Sequence, residues 1–291
     1  MKYTIKHLRA EFGTDAKCLQ FVFDNRCGKD FTCPQCKTKG KFYLIESRKR
    51  FDCVCGFTVS PLSGTIFHKS STPLTLWFHS MFLFASSRNG VSAKELERQL
   101  GVTYKCAWRL AKQIRILFAQ SNNPLSGVVE ADETYIGGIR KGKRGRGASN
   151  KTAVFGIVKR KGEVRAEVVD SINIKTIQPI IDRQVTKGSS IVTDEYNVYN
   201  RVKKSGYEHY TIQHGIGEYV RGLVHSNSIE GFWSQLKRSI NGTHHSVSPK
   251  YLQLYLDEFV WRYSHRGQSL FPLMLATAVK PVSANYERTF S

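Results

Sequence analysis

Two groups of side chains in this sequence have the residue types and the spacing to do chemistry. The first is Cys33-Pro-Gln-Cys36, followed after 16 intervening residues by Cys53-Val-Cys55. A C-x2-C turn points both thiolates at one tetrahedral Zn2+, and a second pair completes a four-thiolate structural site. Lys37, Lys39, Lys41, Arg48, Lys49 and Arg50 crowd the same segment, where they favour thiolates and offset the charge of the site. The second pair is C-x-C where C-x2-C is usual, so Cys27 stands beside Cys55 as a candidate fourth ligand. Unrelated buried cysteines are the alternative. Cys18 and Cys106 read as packing residues. Six of the seven cysteines precede residue 56, a crowding that points to metal before disulfide in a cytoplasmic protein.

The second group is acidic. Asp132 ends an apolar run in Val-Val-Glu-Ala-Asp-Glu-Thr, Asp194 ends another in Ile-Val-Thr-Asp-Glu, and Glu230 lies near a helix start in Asn-Ser-Ile-Glu-Gly-Phe-Trp. Carboxylates at two strand ends beside a helical carboxylate suit two Mg2+ ions that share oxygen ligands for phosphoryl transfer. On the helix, Asn227, Glu230, Ser234 and Lys237 recur at spacings of three, four and three, hence on one face. Lys237 is placed to hold a phosphate. Two readings stay open beside this one: Asn227 with Glu230 is also a helix-cap pair, and three acids can be scattered without a shared role. Strand alternation turns Glu133 and Glu195 away from their neighbouring aspartates.

The elements that must position these groups are visible in caps and periodicity. Thr14 caps a helix over 15–23. Thr72-Pro73, with Thr as N-cap and Pro in the first turn, starts a buried helix reaching about Arg88. Ser92 with Glu95 forms a capping box, Gly101 ends that helix, and Thr103 caps another to about Ala119. The pair has helix-turn-helix proportions, and its second helix would present Tyr104, Lys105, Arg109 and Lys112 to DNA. An ordinary helical hairpin with a basic face fits equally well. After residue 127 strands are expected at 127–133, 152–158, 164–169, 190–193 and 208–212, with helices at 176–185, 227–240 and 249–264. This is an α/β domain with a mixed sheet.

Charge narrows the class of partner. The 291 residues carry 44 Lys+Arg against 23 Asp+Glu, a net +21. The excess is +12 over residues 1–126 and +9 over 127–291, so neither half is neutral. That balance points to a polyanion, nucleic acid before membrane. No membrane span and no signal peptide are read, which places the chain in the cytoplasm.

The order of motifs carries a family resemblance. Cys33-Pro-x-Cys36 is followed by Ser63-Gly-Thr-Ile-Phe-His68 and Pro73-Leu-x-x-Trp77. Then come Asp132-Glu-Thr-Tyr-Ile-Gly-Gly138, Thr193-Asp194, His225-Ser-Asn227-Ser-Ile-Glu230-Gly-Phe-Trp233 and Lys237-Arg238. Over about residues 10–265 the chain resembles insertion-sequence transposases that join an N-terminal zinc ribbon to a DDE-type, ribonuclease-H-like domain. The resemblance implies an N-terminal helix (1–26), a zinc ribbon (27–62), a helical DNA-binding segment (63–121), a ribonuclease-H-like catalytic domain (127–270) and a C-terminal tail (271–291). It implies a catalytic triad at Asp132, Asp194 and a third position that is Glu or Asn in this family. Glu230 is chosen over Asn227 because a carboxylate binds Mg2+ better than an amide, and because Lys237 lies seven residues on. Asn227 and Lys237 then support the site. Structural Zn2+ falls to Cys33, Cys36, Cys53 and Cys55, and two Mg2+ (or Mn2+) ions to the triad. Arg140, Lys141, Lys143, Arg144 and Arg146 become a clamp on DNA phosphates, with Arg238. The implied partners are terminal inverted repeats and target DNA, held by a homodimer or larger synaptic assembly at the bacterial nucleoid. The competing reading from another class is a zinc-ribbon DNA-binding regulator with an inactive, domesticated transposase domain.

Overall fold

A computed structural model of the chain describes residues 3–137, 151–212 and 227–282. The chain divides into two compact units, Met1–Leu117 with Gly267–Ser291, and Phe118–Arg266.

In the first unit, α1 (Ile5–Phe12) and α2 (Asp15–Cys27) meet at Gly13-Thr14. The Thr14 hydroxyl accepts the Lys17 N–H at 3.3 Å, so the expected helix over 15–23 is present, runs on to Cys27, and has a separate helix before it. Next come β1 (Phe42–Ile45), β2 (Arg50–Cys53) and β3 (Thr58–Val59), an antiparallel sheet in that order. The buried Phe51 of β2 stacks on Phe23 of α2, ring centroids 4.1 Å apart, which anchors this small sheet on a helix. A segment this short cannot enclose a core of its own.

The buried helix that follows, α3 (Leu74–Ser86), hides Trp77, Phe78, Met81 and Phe84. Its cap differs from expectation. Pro73 occupies the N-cap position and Thr72 makes no cap bond. Asp15 Oδ1 instead accepts the Thr75 N–H at 2.9 Å and its hydroxyl at 3.0 Å, capping α3 from across the unit. In α4 (Ala93–Leu100) and α5 (Tyr104–Ile116) the caps are local: Ser92 Oγ accepts the Glu95 N–H and Thr103 Oγ1 the Cys106 N–H.

The second unit is built on five strands: β4 (Val128–Ile136), β5 (Thr152–Lys159), β6 (Val164–Val169), β7 (Ser190–Asp194) and β8 (Glu208–Ile212). Their order is β6-β5-β4-β7-β8. The first three form an antiparallel meander, while β4, β7 and β8 run parallel. The sheet is covered on both faces, by α6 (Ile174–Gln184) on one and by α7 (Asn227–Arg238) and α8 (Pro249–Ser264) on the other. Alternation sorts the strand residues between these layers. Ala153, Phe155 and Ile157 pack with Ile177 and Ile181 of α6, whereas Val154 and Val158 pack with Ile229, Phe232 and Leu236 of α7. This meander, crossover helix and parallel pair form the ribonuclease-H-like sheet that the resemblance implied. The chain then rejoins the first unit through α9 (Leu270–Ala278), which packs on α3, so much of the segment expected as a tail is a helix. Phe271, Met274 and Leu275 are its buried face.

Candidate active site

The cysteine site is assembled from two turns. Cys33 and Cys36 bracket a turn closed by the Lys37 N–H on the Cys33 carbonyl at 2.9 Å. In the second turn the Gly56 N–H bonds to the Cys53 carbonyl at 2.9 Å, and Gly56 takes φ +89°, which a side chain would resist. That glycine lets a C-x-C pair turn both sulfurs inward. Cys33, Cys36, Cys53 and Cys55 lie with their sulfurs all within 4.8 Å of one another. Cys33 Sγ is 3.6 Å from Cys55 Sγ, and Cys36 Sγ is 3.6 Å from Cys53 Sγ. Thiolates on a tetrahedral Zn2+ at about 2.3 Å stand about 3.8 Å apart, so the cluster fits structural zinc. Hydrogen bonding with Thr38 brings the Cys36 thiol down to about 6, while burial and the neighbouring thiols push Cys53 up to about 12 and raise Cys55. Cys27 is not in the group, and Cys55 takes the place for which it was a candidate.

The acidic site follows from sheet topology. The parallel register of β4 and β7 ends at Glu130 and Val192. Asp132 and Asp194 each lie two residues beyond that last pair, where parallel strands diverge and open a crevice at their carboxyl ends. Asp132 Oδ2 accepts the Trp233 indole N–H from α7 at 3.1 Å, and Asp194 Oδ1 accepts the Tyr196 N–H at 3.0 Å.

Glu133 faces away from Asp132, as alternation predicts, toward Tyr199 and the α6 layer, yet its carboxylate still reaches the acidic group. The carboxylates of Asp132, Glu133 and Asp194 offer oxygens all within 4.8 Å of one another. With no β7 partner beyond Glu130, side chains from both faces of β4 can curl round the same free edge. Glu133 is buried and accepts the Tyr199 hydroxyl at 2.8 Å. Burial and the neighbouring carboxylates hold the Tyr199 phenol protonated, so it stays a donor. Glu195 is exposed, as alternation predicts. Burial first, then the charge of Glu133, with Asp194 adding to it, pushes the Asp132 carboxyl up to about 7. The three crowded carboxylates are hard oxygen donors suited to a divalent cation, which would relieve the charge repulsion at Asp132.

A cleft of about 790 Å3 opens here, with Asp132 on one wall and Glu230, Ser234, Lys237 and Arg238 of α7 on the other. Glu230, Ser234 and Lys237 thus share the expected face. Asn227 is exposed at the first position of α7 and is not part of the cleft lining. The α7 helix is seated on the sheet at Gly156. A Cβ there would come within 2.6 Å of the Trp233 ring, so only glycine lets the indole lie against β5 and reach Asp132.

The expected DNA contacts divide. Tyr104 and Lys105 are exposed on α5, with Lys94 Nζ 4.8 Å over the Tyr104 ring. Lys112 Nζ lies 5.7 Å from the centre of the Trp108 ring. Arg109 turns inward: its guanidinium donates to Ser70 Oγ and Thr72 Oγ1, both at 3.0 Å, and faces Trp77. Buried apolar neighbours and two hydroxyl acceptors make it a staple of its own unit. Arg140, Lys141, Lys143, Arg144 and Arg146 lie outside the described residues. Trp233, Tyr199, Glu130 and Glu133 were missed by sequence reasoning. Of these, Trp233 alone had a signal, its position one turn past Glu230. Among the described residues, no helix is long and apolar enough to cross a membrane.

Residues 13–55 match the transposase zinc-ribbon domain and residues 124–264 the ISXO2-like transposase domain. A protein of the transposable element ISH50 of Halobacterium salinarum is 28% identical over 85% of this chain and 91% of its own length. A transposase-like protein of Haemophilus influenzae is 28% identical over 36% of this chain and 84% of its own length. Among solved structures, the Mos1 strand transfer complex covers 70% of this chain and 78% of its own at 13% identity and a TM-score of 0.30. A simian T-cell lymphotropic virus intasome chain gives 66%, 73%, 13% and 0.31. Likeness at that level adds nothing to the assignment, which rests on the two domain matches, together well over half the chain, and on the full-length relative. With its four-cysteine ribbon ahead of a mixed sheet bearing clustered carboxylates, the chain belongs to the insertion-sequence transposases that join a zinc ribbon to a DDE-type transposase domain.

Proposed function

We propose that this transposase cuts and joins DNA ends at the cleft between β4 and α7, with Asp132, Asp194 and Glu230 as its catalytic carboxylates. The observation that carries this reading is the convergence of Asp132 and Asp194, each two residues past the last β4–β7 pair, with Asp132 lining a cleft whose other wall is an α7 face bearing Glu230 and Lys237. Divalent ions bound there would activate the attacking oxygen and stabilise the leaving one. Asp132 supplies a rigid oxygen from the middle of β4 and Asp194 one from the end of β7, and Glu230 supplies one from the facing helix. Glu133, held by Tyr199, adds a fourth carboxylate to the same group. Lys237 and Arg238 hold phosphate against the cleft wall, which orients the scissile bond for in-line attack. Trp233 fixes the Asp132 oxygen it bonds.

The substrates in this reading are the inverted repeats at the ends of the element, followed by target DNA. The ribbon and the exposed Tyr104 and Lys105 would bind the ends. A water attacks the phosphodiester at the end, and the freed 3′-hydroxyl then attacks the target, so two ends held in a dimer or larger assembly are required. The test is a strand-transfer assay with Mg2+ on DNA carrying the element ends. The wild-type chain is expected to give joined products, and Asp132→Ala and Asp194→Ala none. Full activity in those variants would overturn the reading, and cleavage without joining would reduce it to a nuclease.

A further inference from the structure

Glu130 is a carboxylate that the site described above does not use. It lies two residues before Asp132 on the same face of β4, and it is fully buried, at 0% exposure. Its oxygens are occupied by protein donors. Oε2 accepts the backbone N–H groups of Ser228 and Ile229 at 2.9 and 3.0 Å. Oε1 accepts the Ser228 hydroxyl at 3.0 Å and Arg160 Nε at 2.8 Å. Both oxygens are therefore committed to protein donors.

The N–H groups it accepts belong to the first turn of α7, which a helix leaves without internal partners. A carboxylate there is favoured by the helix dipole as well as by the bonds themselves. A fully buried carboxylate is costly unless paired, and Arg160, its side chain 16% exposed, supplies that pair. Ser228 stands two residues before Glu230. One strand thus carries Asp132 and, two residues away, the group that grips the helix bearing Glu230. The second grip is Trp233, bonded to Asp132 and seated on Gly156.

We propose that Glu130 is a positioning residue that sets the distance between Asp132 and Glu230, with Arg160 as its ion-pair partner. This rests on the reading of those two residues as the ion-binding carboxylates. Glu130 binds no ion and touches no DNA. Groups that orient ligands in this way typically alter metal affinity by roughly 10- to 100-fold when changed.

The experiment uses the full-length chain with Glu130→Gln, which keeps the shape and removes the charge. Three quantities are read: the Mg2+ concentration for half-maximal end cleavage, Mn2+ affinity by electron paramagnetic resonance, and hydrogen exchange at the Ser228 and Ile229 amides. The expected result is a midpoint raised about tenfold or more, weaker Mn2+ binding, and faster exchange confined to the start of α7. Affinity for end DNA is expected to stay at the wild-type value. If Glu130→Gln alone does not fold, Glu130→Gln with Arg160→Met removes both charges and takes the same readings, with the same expectations. An unchanged Mg2+ midpoint with unchanged exchange at Ser228 and Ile229 overturns the proposal. So does a loss of cleavage by the same factor at every Mg2+ concentration, which marks a purely structural role. The functional reading fails separately, if Asp132→Ala and Glu230→Gln cleave at wild-type rates; if those two are inactive while Glu130→Gln matches wild type, only the positioning role is lost.

Discussion

The cysteine ribbon and the carboxylate cleft are both sites of converging ligands, but they are assembled by opposite means. All four sulfurs come from residues 33–55, and two short turns bring them together. The converging carboxylates come from residues 132, 133 and 194, brought together by the sheet order, and the crossing of α7 sets Glu230 on the facing wall of the cleft. A local site carries its chemistry in its spacing. A topological site depends on contacts remote from its ligands, such as Glu130 on the first turn of α7 and Trp233 on Gly156. The first should therefore fail as a unit when its metal is lost, and the second should lose function through changes that spare its ligands.

The largest effect separates the two regions outright. Cys53→Ser should abolish bound zinc and unfold the ribbon, since structural zinc contributes an apparent 10–16 kcal/mol or so in small domains. Mn2+ binding at the cleft should persist, as measured by metal analysis beside paramagnetic resonance. Loss of both metals together would break the comparison. Next in size, Asp194→Asn should lower end cleavage by more than the roughly 100-fold reached by groups that only orient ligands, while zinc content stays as in wild type. Gly156→Ala touches no ligand, yet it should cost about 1–3 kcal/mol by overpacking against Trp233 and weaken cleavage with it. Denaturant melts would show that cost, and an unchanged melt would mean that α7 has slack at this point.

A pH effect should follow from Asp132. Its carboxyl in the metal-free fold is raised to about 7 from its ordinary 3.8, chiefly by burial. The native state therefore holds a proton that the unfolded chain releases, so this contribution to stability is complete below about pH 4 and is lost as pH rises through about 7. Mg2+ should thus raise the melting temperature more at pH 8 than at pH 5. An equal rise at both would argue that Asp132 does not meet the ion. The smallest effect concerns α5. Lys105→Ala should weaken end binding with little change in melting temperature, whereas Arg109→Ala should lower the melting temperature through its lost bonds to Ser70 and Thr72.

The same contrast sets what was legible in the sequence. Thr14, Ser92 and Thr103 announce their helices because a capping side chain bonds three residues ahead. The strands at 164–169 and 208–212 stand out as β-rich runs between turns, and the aspartates were visible as acids ending such runs. Asp15 capping α3 and Glu130 capping α7 were not visible, because each cap lies 60 or more residues from the N–H it accepts. Glu133 keeps to the face that alternation gives it; what was not visible is that its carboxylate, bonded to Tyr199, still comes within 4.8 Å of those of Asp132 and Asp194 where β4 has no β7 partner. The bonds of Arg109 to Ser70 and Thr72 were not visible, because basic residues on a helix look alike until residues about 40 positions away are folded against one of them.

The central claim is that the cleft carboxylates hold the ions that drive cleavage. Its most direct measurement is Mn2+ bound per chain, by paramagnetic resonance, in the wild-type protein and in Asp132→Asn and Asp194→Asn with end DNA present. The account predicts tight Mn2+ in the wild type and its loss in both variants, with zinc unchanged in all three. Equal Mn2+ binding in the variants and the wild type would contradict it.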